Sequence, residues 1–334
     1  MRTLITGGSG FIGTNLVEHY LSKGEEVLNF DIAPPRNAQH RPCWRPVDIL
    51  DSQLLRTEIA HFSPTYVVNM AATTGTADRG RKLEDYATNY EGVRNLISAA
   101  RDLPNLERVI FVSTMLVCGT GYQPKDDADY CPDTLYGQSK MLGEKVVREA
   151  SELPYCWTIV RPIGIWGPWF DMPYKNLFEA IHKGLYVHPG GSNVNQSLGF
   201  VGNTVCQLDR LLKASADKVH GKTFYLADYP PTNMRAWVNL VQEAFQAPGI
   251  HEVPVPVLKA LARVGDIMKF MGWNVPPLST SRLRNMLASF VFNLEPLVAD
   301  DLPCTLEQAV EITVNWMRKK AKFSDGQNIS LVVQ

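Results

Sequence analysis

Short apolar runs alternate with longer amphipathic segments along the first half of the chain. The apolar runs are rich in β-branched residues and lie at 3–6, 27–30, 66–70, 108–113 and 157–160. The amphipathic segments have helical spacing and lie at 11–23, 52–61, 83–101 and 136–152. Apolar runs without apolar/polar alternation are typical of strands buried on both faces of a parallel sheet. The pattern therefore predicts an α/β protein with a doubly wound parallel sheet.

The second half of the chain lacks this regular alternation at its start. Gly and Pro crowd among the aromatic residues Trp166, Trp169 and Tyr174, which indicates a loop-rich region that forms a cleft. A strand is predicted to return to the sheet at 223–226, and helices are predicted at 234–245, 255–271 and 306–320. The predicted domains are a first domain at 1–163 with a returning segment at about 202–228, a smaller mixed α/β C-terminal cap at 164–201 and 229–321, and a flexible tail at 322–334.

Composition and charge exclude several classes of protein. The chain has 334 residues, of which 45% are hydrophobic and 20% are charged, as in soluble globular proteins. Its 33 basic and 34 acidic residues leave no basic excess for a nucleic acid partner. Six cysteines without ligand spacing predict reduced thiols and no metal. Because no leader precedes the first strand and no apolar run reaches ~20 residues, we expect a cytoplasmic protein without a membrane span.

A glycine-rich turn follows the first predicted strand. Residues 6–13 read TGGSGFIG, with glycines at Gly7, Gly10 and Gly13. In such a turn the first glycine allows the tight bend, the second lets the backbone approach a pyrophosphate, and the third permits close packing of helix and strand. Its position between a strand and a helix predicts a dinucleotide site.

Asp31 closes the second predicted strand, about 20 residues after the glycine-rich turn. A carboxylate there accepts hydrogen bonds from the adenosine ribose and repels a 2′-phosphate, which favours NAD over NADP. Arg36 and Arg41 follow closely and would reverse this preference if one of them folded over the site. Asp48, after the third strand, is placed either to hold the adenine edge or to cap the next helix.

Tyr136 and Lys140 lie one helical turn apart, on one face of a predicted helix. An ammonium group near a phenol favours the phenolate. Together with a positively charged nicotinamide, Lys140 is expected to bring the pKa of Tyr136 from about 10 toward neutrality, as an acid/base catalyst requires. Ser113 and Thr114 end the preceding strand and complete this group of candidate residues.

With these motifs the chain resembles the extended short-chain dehydrogenase/reductases, in particular the NAD-dependent epimerase/dehydratase branch, which acts mainly on nucleotide sugars. The resemblance covers nearly the whole chain. Its matching positions are 6–13, Asp31, Asp48 with Ile49, 70–72, 88–92, 112–114 with Gly119, 136–140, and 161–162 leading to 167–168.

The resemblance implies a Rossmann-type sheet with a substrate-binding cap, and roles for individual residues. Tyr136 would move a proton on a substrate hydroxyl while hydride passes to or from NAD, Lys140 would hold the nicotinamide ribose, and Thr114 would bind the reacting oxygen. The other implied cofactor contacts are Phe11, Ile12, Ile49, Ala71, Ala72, Thr73, Asn89, Ser113 and Ile163. The resemblance also implies a homodimer, in which the helices around Asn89 and Tyr136 form a four-helix bundle.

The residues after Thr114 depart from part of this family. Its 4,6-dehydratases carry Asp-Glu there and its decarboxylases a nearby Glu, whereas this chain has Met115 and Leu116, which cannot transfer protons. Elimination of water is therefore disfavoured, and 4-epimerisation or ketone/alcohol interconversion remains. Cys118 does not fit the position of the thiol in the 3,5-epimerases and is predicted to be a core residue.

The predicted substrate contacts rest on weaker signals. Asn176 stands where nucleotide-sugar enzymes place a helix against the diphosphate, whereas Gln196 and Asn203 replace an expected Arg and Asp. Arg282 would supply the missing charge, and Trp166 is expected to line the cleft.

Asn203, preceded by the residues at 189–191, also resembles the 3β-hydroxysteroid dehydrogenase-like branch. The alternative substrate is accordingly an apolar alcohol. A non-catalytic NAD-binding sensor is a third hypothesis.

An apolar stripe runs along the helix predicted at 255–271. Its members recur at helical spacing and are Leu258, Leu261, Val264, Met268 and Met271. We interpret the stripe as core, because Lys259, Arg263 and Lys269 offer only a modest basic face for a membrane-surface role.

Overall fold

The structure, a computed structural model, describes residues 1–75, 80–119, 121–150, 152–272 and 278–329, with side chains up to residue 320. The strands are β1 (Arg2–Thr6), β2 (Glu26–Phe30), β3 (Trp44–Arg45), β4 (Tyr66–Asn69), β5 (Arg108–Val112), β6 (Cys156–Pro162), β7 (Ile165–Trp166), β8 (Val187–Gly190), β9 (Asn195–Gln196), β10 (Gly199–Phe200), β11 (Thr223–Leu226), β12 (Thr232–Asn233) and β13 (His251–Pro254). The α-helices are α1 (Phe11–Ser22), α2 (Ser52–Phe62), α3 (Glu91–Ala100), α4 (Leu135–Glu149), α5 (Tyr174–His182), α6 (Val201–Lys213), α7 (Ala216–Val219), α8 (Met234–Phe245), α9 (Val255–Phe270), α10 (Thr280–Leu287), α11 (Pro296–Ala299) and α12 (Leu306–Ile329). Short 3₁₀ helices occupy Ala38–Cys43, Leu83–Asn89 and Met115–Val117.

Seven strands form one parallel sheet in the order β11-β6-β5-β4-β1-β2-β3. The chain starts in the middle of the sheet and winds outward in both directions. In register, Leu4 of β1 lies between Leu28 of β2 and Val67 of β4. Such an order places helical crossovers on both faces of the sheet. The prediction of a doubly wound, Rossmann-type parallel sheet is confirmed.

Side chains of the central strands alternate between two apolar layers. Leu4 and Val67 belong to one buried cluster and their chain neighbours Ile5 and Val68 to the other. Helices α2, α3 and α4 cover the first layer, and α1 and α6 cover the second. Because both faces are buried, the strands are continuous apolar runs, which is why the sequence pattern identified them.

The chain forms two compact units. The first comprises Met1–Ile165, Gly199–Asp228 and Asn293–Pro303 and contains the large sheet. The second comprises Trp166–Leu198, Tyr229–Phe292 and the chain from Cys304. That the second unit is a substrate-binding cap stays a prediction, as does the flexible tail, of which residues 330–334 lie outside the described residues. No helix in the described part of the chain has both the length and the apolar character needed to cross a bilayer.

Two sequence-based interpretations of helices are wrong. The segment 83–101 is not one helix, because Tyr90 leaves helical geometry (φ −133°, ψ −46°) between the 3₁₀ turn and α3. The apolar stripe of α9 is not core either: Leu258 is buried, whereas Leu261, Val264 and Met271 are exposed. The helix packs on α10 through its Leu258 face, and the described residues of this unit leave the adjacent face uncovered.

Candidate active site

The glycine-rich turn lies at the carboxyl end of β1, where the backbone passes very close to the end of β4. Gly7 has a left-handed φ of +74°, and a Cβ there would lie 2.6 Å from the Ala71 backbone nitrogen. The Gly7 N–H donates to the Phe30 carbonyl (2.8 Å), which ties the turn to β2. Only glycine meets both the conformation and the close approach.

Gly10 and Gly13 shape the start of α1. The Gly10 N–H donates to the Gly7 carbonyl (3.0 Å), and a Cβ on Gly13 would lie 2.6 Å from the Gly8 Cα. Helix α1 begins directly after this turn, at Phe11, and the positive end of a helix dipole attracts anions. A side-chain-free turn that opens onto this helix end fits a dinucleotide pyrophosphate.

Asp31 directly follows β2 and lies against the glycine-rich turn. One carboxylate oxygen accepts from the Ser9 N–H (3.0 Å) and the other from the Ala33 N–H (2.9 Å). Two oxygens offer about four acceptor positions, so the carboxylate keeps capacity for two ribose hydroxyls. The Arg36 Nε donates to the Ser9 carbonyl (3.1 Å), whereas the Arg41 guanidinium lies over the ring of Trp44. Arg36 is thus bonded to the backbone of the turn, while the Asp31 carboxylate keeps the position that favours NAD over NADP.

Asp51, and not Asp48, caps the helix that follows β3. Asp48 accepts from the Leu50 N–H (2.9 Å) in a turn, while Asp51 caps α2 by accepting from Leu54 (3.0 Å), so Asp48 is not the cap. The contact of Ile49 with a cofactor stays a prediction, and its side chain is not the part that would make it. That side chain is buried in the sheet core, because the helix α3 passes over it.

The segment after β4 is fixed by one buried amide. Ala71, Ala72 and Thr73 are half-buried. The Asn89 Oδ1 accepts from the Thr73 N–H, and its Nδ2 donates to the Thr73 carbonyl (both 2.9 Å) and to the Ser139 Oγ (2.8 Å). Asn89 therefore holds this segment on α4, and its predicted contact with a cofactor stays a prediction.

Four candidate catalytic and cofactor residues meet where β5 ends and α4 begins. Tyr136 and Thr114 share a hydrogen bond. One turn along α4, the Lys140 Nζ donates to the Val112 carbonyl at the end of β5 (2.5 Å). The Ser113 Oγ is buried beside them and has no hydrogen-bond partner among the described residues. An orphaned hydroxyl next to a buried ammonium fits a polar cofactor group such as a ribose.

Burial has the largest effect on the pKa values of Tyr136 and Lys140. It raises the pKa of Tyr136 to about 12, and the hydrogen bond from Thr114 works in the opposite direction. It lowers the pKa of Lys140 to about 8, while the Glu144 carboxylate raises it. The effect that lowers the Tyr136 pKa comes from Thr114, and the lowering by Lys140 together with a nicotinamide stays a prediction.

Behind Lys140 lies a buried ion pair that the sequence analysis did not identify. The Arg161 Nε and Nη2 donate to the two oxygens of Glu144 at 2.9 and 2.7 Å. Two signals were present in the sequence: Glu144 continues the Tyr136–Lys140 face by one turn, and Arg161 interrupts an apolar strand. A charge at such positions needs a buried partner.

Of two predicted substrate contacts in the second unit, Trp166 does not line a cleft, whereas the contact of Gln196 stays a prediction. Trp166 is fully buried and packs against Phe178 and Trp237, with ring centroids 5.7 and 5.2 Å away, so it belongs to that unit's aromatic core. Gln196 is buried, and its Nε2 donates to the carbonyls of Asn285 (3.1 Å) and Ala288 (2.9 Å). Its amide N–H groups are therefore committed to the end of α10.

The remaining predicted residues are exposed in the second unit and buried in the first. Asn176 is exposed in the first turn of α5, and Arg282 is exposed on α10. Ile163 is fully buried directly after β6, with its N–H donating to Leu226 (2.9 Å). Cys118 is buried, which confirms it as a core residue.

Comparison with known proteins gives the family. The NAD dependent epimerase/dehydratase family matches residues 3–227. An Escherichia coli O157:H7 protein, N-acetyl-alpha-D-glucosaminyl-diphospho-ditrans,octacis-undecaprenol 4-epimerase, is 26% identical over 97% of both chains. A 3-beta-hydroxysteroid dehydrogenase of Mycolicibacterium neoaurum is 26% identical over 70% of this chain and 67% of its own.

Solved structures show the same fold. The UDP-glucose 4-epimerase of Thermotoga maritima with UDP-glucose superposes with a TM-score of 0.73 at 19% identity, covering 96% of this chain and all of its own. The Thermus thermophilus UDP-glucose 4-epimerase complex with NAD gives 0.69 at 21% identity, covering 95% and 99%. Since the family match spans more than half of the sequence, the chain belongs to the NAD-dependent epimerase/dehydratase family and is an enzyme that uses NAD.

Proposed function

We propose that this enzyme interconverts an alcohol and a ketone on a nucleotide-activated sugar, either as a 4-epimerase or as a 4-keto/alcohol oxidoreductase. The observation that carries the proposal is the hydrogen-bonded pair of Tyr136 and Thr114, with Lys140 one turn along the same helix. The relatives named as 4-epimerases support the sugar as substrate, one of them along nearly the whole chain.

The proposed contacts hold different chemical groups of the cofactor. The glycine-rich turn and the start of α1 would hold the pyrophosphate, Asp31 the adenosine ribose, and Ser113 with Lys140 the nicotinamide ribose. NAD, when bound, supplies a hydride acceptor that becomes a hydride donor. Its position is supported by the turn that admits no side chain and by the unpartnered Ser113 hydroxyl.

Tyr136 is the proposed acid/base group. Burial keeps its phenol protonated at neutral pH in the free enzyme, which suits proton donation to a developing alkoxide. Removal of a substrate proton needs a lower pKa, and the Thr114 hydroxyl favours that by donating to the phenolate. Met115 and Leu116 carry no further acid or base, so the residues after Thr114 support a redox cycle without elimination of water.

The test compares two tyrosine-to-phenylalanine variants in the same unit. Tyr136→Phe is expected to lower kcat by about 10²–10⁴-fold, the usual contribution of a positioned acid/base, while the NAD affinity is retained. Tyr66→Phe is the matched control. Tyr66 lies at the amino end of β4, away from the candidate site at the carboxyl end of the sheet, and its hydroxyl donates to Glu107 (2.9 Å). A Tyr136→Phe enzyme that turns over at the wild-type rate would refute the assignment and favour a non-catalytic NAD-binding sensor.

A second candidate function, oxidation of an apolar alcohol of the steroid type, is supported by the steroid dehydrogenases among the relatives. It is also supported by Gln196, a neutral residue that stands where a cation is expected and whose Nε2 donates to carbonyl groups of its own unit. Thermal unfolding of the NAD-loaded protein with UDP, dTDP, GDP and CDP sugars and with a steroid alcohol separates the two. A ligand at 100 times its Kd stabilises by about 2.7 kcal/mol, which raises Tm by several degrees.

We also propose a cytoplasmic homodimer that pairs through α3 and α4 as a four-helix bundle. Light scattering would then give twice the chain mass of 37.3 kDa. A particle of single-chain mass at micromolar concentration would contradict the dimer.

A further inference from the structure

Helix α9 presents an apolar face to solvent. Leu261 is 52% exposed, Val264 53% and Phe270 93%, and Val257, Ile267 and Met271 are exposed as well. Positions 257, 261, 264 and 271 recur at helical spacing and form one stripe. An adjacent side of the helix, with Leu258, Ala262 and Gly265, is buried. The exposed stripe therefore does not stabilise the fold of its own unit.

The segment around this face carries an excess of basic residues. Between residues 255 and 287 the sequence has five basic residues and one acidic residue, in a chain whose formal net charge is −1. Lys259, Arg263 and Lys269 lie on α9 itself and are exposed. No ion pair among the described residues involves any of the three. The single acid, Asp266, accepts from the Thr280 N–H (3.2 Å).

We propose that α9 docks this enzyme on the surface of an anionic phospholipid bilayer. The helix would lie in the plane of the interface, with the stripe at the boundary of the acyl chains and the lysine and arginine side chains reaching the phosphates. A helix of this kind binds through buried apolar area plus attraction to anionic lipid. Since no helix in the described part of the chain spans a bilayer, the attachment is peripheral and reversible.

Charge decides between a bilayer and a second copy of the chain as the occupant of this face. Two α9 helices paired antiparallel through their exposed faces would bring two rows of Lys259 and Arg263 together, with no row of acidic residues to offset them. Like charges placed opposite each other disfavour such an interface. An anionic lipid surface complements the same residues.

Co-sedimentation of the full-length protein with vesicles tests the proposal. Vesicles of 30% phosphatidylglycerol in phosphatidylcholine should bind the protein, and pure phosphatidylcholine vesicles should bind it much more weakly. Each basic charge near an anionic surface contributes about fivefold in partitioning, so the triple variant K259Q/R263Q/K269Q should bind about a hundredfold more weakly. Salt at 0.5 M should release the wild-type protein, since it screens these charges.

Two aspartate variants separate the apolar contribution from general surface effects. Leu261→Asp should weaken vesicle binding at least tenfold, since it removes one buried leucine from the interface. Leu185→Asp is the control, because Leu185 is 72% exposed in the same unit and lies outside α9. Absence of binding to anionic vesicles, or equal binding to both vesicle types, would overturn the proposal. A Leu261→Asp protein that changes from dimer to monomer would overturn it too, since the face would then be a subunit interface.

Discussion

Replacing Glu144 with glutamine should destabilise the protein far more than its small chemical change suggests. Glu144 is 2% exposed and Arg161 is fully buried, and the two form a bidentate ion pair. Arg161 also donates to the Tyr225 hydroxyl (2.9 Å) and the Asp127 carbonyl (2.7 Å), while Glu144 accepts from the Tyr130 hydroxyl (3.0 Å). Glutamine keeps the size of the side chain but leaves the guanidinium without its counter-charge.

The expected loss is about 3–5 kcal/mol in the free energy of unfolding, the usual cost of breaking a buried pair from one side. At about 2–4 °C per kcal/mol for a unit of this size, Tm should fall by roughly 6–20 °C, as measured by circular dichroism. The matched control is Glu91→Gln, which removes the exposed ion pair with Arg94 and should cost less than about 1 kcal/mol. Removing both buried charges, as E144Q/R161M, should recover part of the loss.

The pH dependence of activity is a second measurement, because Glu144 also acts on Lys140 one turn earlier on α4. Because the Glu144 carboxylate raises the pKa of Lys140, the glutamine variant should lower that pKa below about 8. Any activity that needs the Lys140 ammonium would then be lost at a lower pH than in the wild type. A Glu144→Gln protein with unchanged Tm and an unchanged pH profile would refute the claim that this pair is desolvated and acts on Lys140.

Three further predictions concern other parts of the first unit. Gly13→Ala should weaken NAD binding by about 1–3 kcal/mol in a calorimetric titration, because its methyl group meets the backbone of the glycine-rich turn, while Gly249→Ala, which meets nothing within 4 Å, should not. Asn89→Ala should cost about 1–3 kcal/mol for each buried backbone group left unpaired, so an unchanged urea midpoint would contradict its bridging role. Burial raises the pKa of Asp228 to about 7, so the native state binds more protons than the unfolded chain between about pH 4 and 7. Unfolding free energy should therefore fall as pH rises through this range, by at most ~1.4 kcal/mol per unit from this group, and the Asp228→Asn curve should be flatter.

The parallel sheet and the glycine-rich turn were predictable from sequence because their signals are local. A strand buried on both faces is a continuous apolar run. Gly7 and Gly13 are required in the turn because a side chain there would collide with nearby backbone. The Tyr136 and Lys140 pairing likewise follows from helical spacing.

Other features depend on contacts that spacing does not show. The sequence predicts Trp166 in the cleft, yet the aromatic residues that bury it come from distant helices. The Gln196 Nε2 donates to carbonyl groups about 90 residues further along the chain, which its sequence neighbours do not indicate. The stripe of α9 has the periodicity of a core helix, and only the arrangement of its neighbours shows that much of it faces solvent.

The Asn89 amide has a consequence for hydrogen exchange. Since one side chain holds both backbone groups of Thr73 and also reaches Ser139 on α4, the Thr73 amide cannot exchange with deuterium through local fluctuation of its loop alone. Its exchange requires the bond to the Asn89 Oδ1 to open, and because Ser139 on α4 also holds the Asn89 amide, we expect the two segments to open cooperatively. Thr73 should then show the slow exchange of a helix, although it lies in a segment without regular secondary structure.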